Sequence, residues 1–269
     1  MQQLNATDLK NTASQYEKLM VPALFAPFSE QILDIAGFMP GHRLLDVACG
    51  TGIVARSAAR RAGRARSTII GLDPNPGMLA VAGDRAPELD WHEGEAEKLP
   101  FGDGEFDIVV SQFGLMFFED RQAALREMQR VVAPGGRLLA AVFDDLSNIP
   151  GYRAMTDILG DVAGPDVAGA LQVPFSLGDV DELHALCSEA GLSGAQITTH
   201  PGTARFPDTR TMVLADVQGW FPLAGISLSD GQIDEIVRRL DGALADHRAD
   251  DGSVSFPLPA HLVIAKDGD

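Results

Sequence analysis

The chain has 269 residues and a formal charge of −17, from 38 acidic against 21 basic side chains, with 45% apolar residues. That balance argues against a nucleic-acid partner, because phosphates are held by clustered Lys and Arg, and it favours a small-molecule substrate. The apolar content supports a packed core, and the length suits one α/β domain carrying an embellishment.

In chain order, residues 8 to 38 read as helices broken at Pro22 and Pro27, with Tyr16, Leu19, Met20, Leu24, Phe25 and Phe28 as large apolar side chains that cap the sheet or a pocket. No basic-then-apolar leader is read at the N-terminus, and no uninterrupted apolar run reaches the ~18 residues of a membrane span. A cytoplasmic protein without a membrane span is expected. From Arg43 to Phe143, short apolar runs alternate with amphipathic stretches, the pattern of parallel βαβ units. Strands are expected at Arg43 to Ala48, Thr68 to Leu72, weakly at Leu89 to His92, at Phe106 to Ser111 and at Arg137 to Phe143. Helices are expected at Ile53 to Arg61, Pro76 to Arg85 and Arg121 to Val132, the last stopped by Pro134-Gly135-Gly136. The arginines between Arg56 and Arg66 read as a solvated face.

After Phe143 the alternation fades through a Gly/Pro-containing stretch. It resumes with a helix at about Val180 to Ala190, a strand near Ala195 to His200, helices within 208 to 247 and a last strand, Ser253 to Lys266. The expected organisation is a helical cap over 1–40, a Rossmann-like core over 41–145, and over 146–269 the rest of the same domain, with lid helices and the last two strands. The two cysteines, Cys49 and Cys187, are too few for a disulfide framework or a cysteine zinc site, so no metal is expected and a reducing compartment fits.

The strand Leu44 to Ala48 runs directly into Cys49-Gly50-Thr51-Gly52 and then a helix. Glycines at such a turn, at the carboxyl edge of the sheet, permit left-handed backbone angles and let a ligand lie against the main chain. Gly50-Thr51-Gly52-Ile53-Val54-Ala55 also satisfies the dinucleotide fingerprint, so an NAD(P)-dependent oxidoreductase stays open at this point. Asp46 weighs against it, since a carboxylate there opposes a pyrophosphate but suits an α-ammonium or a sulfonium.

The segment Asp46-Val47-Ala48-Cys49-Gly50-Thr51-Gly52 resembles the first motif of class I S-adenosylmethionine-dependent methyltransferases. Further motifs follow in the order the resemblance requires. Ile69-Ile70-Gly71-Leu72-Asp73 ends in an acid, and Asp73-Pro74-Asn75-Pro76-Gly77-Met78 continues like the second motif. Gly94-Glu95-Ala96-Glu97-Lys98-Leu99-Pro100-Phe101 resembles G-D-A-x-x-L-P-F with Glu95 in place of the commoner Asp, and Val131 to Leu138 resembles R-V-L-K-P-G-G-x-L. The likeness covers roughly residues 40 to 145.

The resemblance implies a doubly wound, mostly parallel seven-stranded sheet whose last strand enters antiparallel, with helical lid elements at both ends of the chain. It implies S-adenosylmethionine as cofactor, leaving as S-adenosylhomocysteine. Asp46 would hold its methionine amino group, the backbone of Ala48, Gly50, Thr51 and Gly52 would pack against it, and Asp73 with Pro74 would serve the ribose. Met78, Glu95, Ala96 and Glu97 would line the adenine, while Ser111, Gln112 and Phe113 would lie beside the transferred methyl and Tyr16 would close over the cofactor. Phe113-Gly114-Leu115 looks like the F-G-L of quinone-biosynthesis C-methyltransferases.

Methyl transfer from a sulfonium is an in-line displacement, so positioning and water exclusion are the main tasks, and a base is needed only where the acceptor must lose a proton. No convincing base is visible; His200, followed by Pro201-Gly202, is the least poor candidate. Ser111 to Phe118 reads as the pocket wall, and Gln218 to Leu223 with the N-terminal helices as a lid over an apolar or aromatic acceptor taking methyl on O or C. A non-catalytic binding protein of the same fold is the remaining alternative, and a homodimer is compatible with the sequence.

Overall fold

The computed structural model describes residues 5–266. It opens with a helix from Ala6 to Ala36, built of α1 (Ala6–Gln15), a π-helical segment (Tyr16–Phe25) and α2 (Ala26–Ala36). The prolines do not break it as the sequence suggested. Pro22 sits inside the π segment, whose wider turn relieves the clash of its ring with the preceding turn, and Pro27 sits in the first turn of α2, where its missing N–H has no intrahelical partner to lose. By length and apolar composition this helix passes as a membrane span, yet 56% of its most apolar stretch is buried within the fold.

The strands are β1 (Arg43–Val47), β2 (Thr68–Asp73), β3 (Asp90–Glu93), β4 (Phe106–Gln112), β5 (Val132–Phe143), β6 (Gln196–His200), β7 (Thr203–Phe206), β8 (Val254–Pro257) and β9 (Ala260–Lys266). Seven form one sheet in the order β3-β2-β1-β4-β5-β9-β6. All neighbours are parallel except at β9, which runs antiparallel to both β5 and β6. This is the Rossmann-like sheet expected from the sequence. Leu44, Leu45, Val109, Val110 and Leu139 are fully buried, as strands covered on both faces require.

The helices α3 (Ile53–Ala62), α4 (Pro76–Arg85) and α5 (Arg121–Arg130) lie where the periodicity placed them. Pro134-Gly135-Gly136 does not end α5. It lies inside β5 as a bulge, where the register against β4 jumps from Phe106↔Val132 to Ile108↔Arg137. The stretch without expected structure holds two helices, α6 (Pro150–Ala163) and α7 (Pro165–Gln172), ahead of α8 (Val180–Glu189). The lid region holds α9 (Thr209–Gly219) and α10 (Asp230–Ala243). The expected single last strand is two: Pro257 and Pro259 interrupt it, so β8 pairs with β7 in a separate two-stranded sheet while β9 enters the main one.

Nor is the Arg56 to Arg66 run wholly a solvated face. Arg61 reaches Glu30 and Asp34 on α2 at 2.7 and 2.6 Å, and Arg56 reaches Glu17 in the π segment at 2.9 Å. These pairs clamp the long N-terminal helix onto α3.

Candidate active site

Strand order reverses between β1 and β4, and ligands of open α/β sheets bind beyond the carboxyl ends of the strands at such a point. The residues just past those two ends, Ala48 (φ 55°) and Phe113 (φ 58°), are the non-glycine residues with positive φ among the described residues. That conformation costs an L-residue of this kind ~1–2 kcal/mol, and such strain gathers where a site dictates the backbone. Close packing maintains it, since a Cβ added to Gly114 would lie 2.7 Å from both Ala48 Cβ and Ser111 Oγ.

Both residues line a cavity of about 670 Å³. One end is built by the loops after β1, β2 and β3, and presents the expected Gly50, Asp73, Pro74, Met78, Glu95, Ala96 and Glu97, together with Asn75. Asp73 carries the turn: its Oδ2 accepts from Gly50 N and its Oδ1 from Asn75 N, both at 2.8 Å. Burial raises the Asp73 pKa to about 6 against those two bonds. Each oxygen keeps a further lone pair for a ligand hydroxyl.

Tyr16 lies over Gly50, where an added Cβ would be 3.6 Å from the phenol oxygen. Its phenol is pushed up by burial and by the charges of Asp73, Glu17 and Asp46. Glu97 ties the far rim together, its Oε1 accepting from Glu119 N at 3.0 Å.

Four expected residues do not line the cavity. Asp46 is 1% exposed, and its Oδ2 accepts from Ala55 N at 3.1 Å, so the carboxylate caps the start of α3 from beneath. Burial raises its pKa to about 7. Thr51 donates to Glu17 Oε2 at 2.6 Å, Gly52 packs on the Trp91 ring, and Ser111 is buried without a hydrogen-bond partner. Glu17, the buried acceptor that anchors the turn to the π segment, carries no sequence signal beyond its place in a helix.

The other end of the cavity is aromatic. Gln112 donates to Phe25 O at 3.2 Å, and Phe113 stacks on Phe143 at 3.9 Å and 11° while meeting Phe28 edge-on at 5.1 Å. Phe175 and Tyr152 extend the row, at 5.4 Å from Phe143 and 5.3 Å from Phe175 respectively. From the expected lid, Gly219, Trp220 and Leu223 line the cavity, with Trp220 5.1 Å from Phe117 at the mouth. His200 is not there: it lies on β6 at the sheet edge, between Gln31 and Thr198. Phe143, Leu171, Phe175 and Asp216 lay outside the expected site.

The charge of the site separates the two cofactor readings. Asp73, Glu95, Glu97, Glu119, Asp120 and Asp216 line the cavity, and no Lys, Arg or His does among the described residues. A pyrophosphate would sit at the α3 N-terminus, where Asp46 already takes the Ala55 N–H. A sulfonium carrying an α-ammonium fits the same surroundings, where the acids balance its charge. The dinucleotide reading is not favoured.

Residues 45–140 match the family model described as a methyltransferase domain. A demethylmenaquinone methyltransferase of Renibacterium salmoninarum is 42% identical over 128 residues, 48% of this chain and 52% of that protein. A ubiquinone/menaquinone biosynthesis C-methyltransferase, UbiE, of Ruegeria sp. is 37% identical over 157 residues, 55% of this chain and 62% of that protein. The match thus spans about half the length of the first relative and under two thirds of the second. The YcgJ protein of Bacillus subtilis shares the fold, with a TM-score of 0.60 at 20% identity over 90% of this chain and 98% of that one. Motif order, sheet topology, the capped glycine turn and these matches together identify a methyltransferase domain over residues 45–140, set in a fold shared with the YcgJ protein.

Proposed function

We propose that the protein transfers the methyl group of S-adenosylmethionine to a ring carbon of an apolar, quinol-type small molecule, by in-line displacement. The observation that carries the reading is the continuity of the cavity, from the acidic, cation-suited end at Asp73 and Glu95 to the aromatic end at Phe113, Phe143 and Phe175. The donor supplies an electrophilic methyl on a sulfonium and leaves as a neutral thioether. The chain's own contribution is to orient the two partners and exclude water, and orientation alone is worth several orders of magnitude.

The names of the sequence relatives, a demethylmenaquinone methyltransferase and a ubiquinone/menaquinone C-methyltransferase, support a carbon acceptor on such a ring. The flat aromatic walls suit it as well. The N-terminal helix is read as a core element, its most apolar stretch being more than half buried.

Calorimetry with S-adenosylmethionine, S-adenosylhomocysteine, NADH and NADPH tests the cofactor: the first two bind and the nicotinamides do not. Radiolabelled methyl transfer into a panel of reduced demethylquinones tests the acceptor. Binding of the nicotinamides alone would reject the reading, and cofactor binding with no labelled product from any quinol would reject the acceptor class.

A further inference from the structure

At the aromatic end, the cavity holds two polar side chains whose hydrogen-bonding needs the protein does not meet. Tyr152, in the first turn of α6, and Asp216, in α9, both line the cavity and are 3% and 2% exposed. The Tyr152 hydroxyl and Asp216 Oδ2 have no hydrogen-bond partner among the described residues. They lie side by side, near enough that each shifts the other's proton affinity through charge and hydrogen bonding, with no contact of full hydrogen-bond geometry between them. A buried polar group left unpaired destabilises the fold, and a ligand that pairs with it recovers that loss.

The pair is held in place. Tyr152 is wedged 5.3 Å from Phe175 and 5.9 Å, edge-on, from Phe256. Its neighbour Gly151 is pressed against Phe256 so closely that an added Cβ would lie 2.3 Å from the ring. Both groups line the same cavity as Phe143 and Phe175, and Tyr152 lies against Phe175.

The donor and acceptor set selects the ligand. A hydroxyl both donates and accepts, so one ligand O–H can give its hydrogen to Asp216 while receiving one from Tyr152; an ammonium only donates and an ether only accepts. Resting on the methyl-transfer reading, we propose that Asp216 and Tyr152 bind a ring hydroxyl of the acceptor, and that Asp216 takes its proton as the methyl group is transferred. The O–H bond breaks and its proton moves to Asp216 Oδ2. The electron pair left on oxygen conjugates into the ring, whose ortho carbon bonds the methyl carbon as the methyl–sulfur bond breaks and its pair stays on sulfur. The hydrogen of that ring carbon then passes to the oxygen, restoring aromaticity, and Asp216 releases its proton to solvent, a net loss of one proton.

The carboxyl is suited to this role, because burial holds its pKa at about 8, close to the operating range of a general base. Tyr152 is the neighbour that acts on it, its hydroxyl lowering the pKa against the effect of burial. The other charged groups on the elements packed against α9 look elsewhere. Glu17 faces Arg56, Lys10 faces Asp84, Arg239 of α10 faces Asp161, and Asp234 faces Arg210, while Lys18 and Arg205 are exposed. Tyr16 and the acids Asp73, Glu95, Glu97, Glu119 and Asp120 share the cavity and offer no cation.

The test measures binding of 1-naphthol, 1-methoxynaphthalene and 1-naphthylmethylamine to the purified chain by calorimetry, without the methyl donor. Wild type is expected to prefer 1-naphthol by about tenfold over both others, a preference worth one charge-assisted hydrogen bond. Asp216→Asn should shrink the preference below about threefold with binding of the ether unchanged, and Tyr152→Phe should reduce it in part. With a turned-over quinol, Asp216→Asn is expected to lose about a hundredfold in rate and the rise of rate between about pH 6 and 9. Retained S-adenosylmethionine binding shows that a variant is folded; if Asp216→Asn fails that control, Tyr152→Phe decides. No preference in wild type, a preference for the amine, or a preference unchanged in both variants overturns the proposal. Failure of wild type to bind S-adenosylmethionine would reject methyl transfer itself, a separate result.

Discussion

Replacing Glu17 with alanine should loosen the π-helical segment from the glycine-rich turn and destabilise the fold by about 3 kcal/mol. The Glu17 carboxylate is 8% exposed, accepts from Thr51 Oγ1 at 2.6 Å and receives Arg56 Nη2 at 2.9 Å on each oxygen. The Arg56 side chain is itself only 15% exposed, so truncating Glu17 leaves a desolvated guanidinium without its counter-ion. Breaking a buried pair in that way costs ~3–5 kcal/mol, and the orphaned Thr51 hydroxyl adds ~1 kcal/mol. Arg56 retains a water-facing edge and a hydrogen bond to Gly52 O, which brings the expected total below that sum, to about 3 kcal/mol. In a chain of this length that is a fall in Tm of about 6–12 °C.

The assay is urea unfolding of wild type, Glu17→Ala, Arg56→Met and the double variant. If the pair is real, the double variant loses less than the sum of the singles, with a coupling of about 2 kcal/mol. A Glu17→Ala loss under ~1 kcal/mol, or strict additivity, would refute the clamp between lid and turn.

Three further outcomes follow from the same geometry. Asp73→Ala removes the acceptor that fixes Gly50 N and Asn75 N, so S-adenosylmethionine affinity in calorimetry should drop at least about tenfold, and an unchanged affinity would put the ribose elsewhere. Gly52→Ala combines a φ of +81° with a Cβ 2.2 Å from the Trp91 ring; a loss of about 2–4 kcal/mol in urea unfolding is expected, with partial recovery in Gly52→Ala/Trp91→Leu. A loss under about 1 kcal/mol would mean the ring moves freely.

The third concerns pH. Asp46, Asp73 and Asp216 have folded pKa values raised to about 7, 6 and 8, above the 3.8 of an unfolded aspartate. The folded state therefore binds more protons than the unfolded state between those limits, and their contribution to stability is full below about pH 4 and lost as pH climbs through 6 to 8. The Tm of the ligand-free protein should fall between pH 5.5 and 8.5, and Asp216→Asn should flatten the upper part of that fall. A Tm that rises across the window would contradict the burial of these three acids.

The elements most legible in the sequence were those whose signals are local. Leu44-Leu45, Ile69 to Leu72 and Ile108 to Val110 are apolar runs near turn residues, and β1, β2 and β4 lie there. The readings that changed turn on residues whose effect depends on a distant partner. Pro22 looks like a helix breaker until the π segment absorbs it, and Pro134-Gly135-Gly136 looks like a helix stop until β4 pairs across the bulge. Helix α6 was within reach: Pro150 suits a first turn, and Tyr152, Met155, Thr156 and Leu159 repeat at helical spacing, all buried. The Gly and Pro around it masked that period.

The same distinction divides the site. At the methyl-donor end, each turn after β1, β2 and β3 carries its chemistry in a few adjacent residues, because a parallel strand followed by a short turn delivers those residues to one sheet edge whatever the rest of the chain does. The acceptor end has no such local rule. Phe113, Phe143, Tyr152, Phe175 and Asp216 come from five separate stretches, and only the packing of α6 and α9 over the sheet brings them together. An aspartate in a helix reads as solvated by default; Asp216 becomes informative only once it is seen to be buried, with no cation near it among the described residues and beside a phenol. On the proposed function, acceptor specificity resides in lid helices that can change without disturbing the cofactor turns, so an exchange at Tyr152 or Asp216 should alter which acceptor binds while S-adenosylmethionine binding stays within about threefold of wild type.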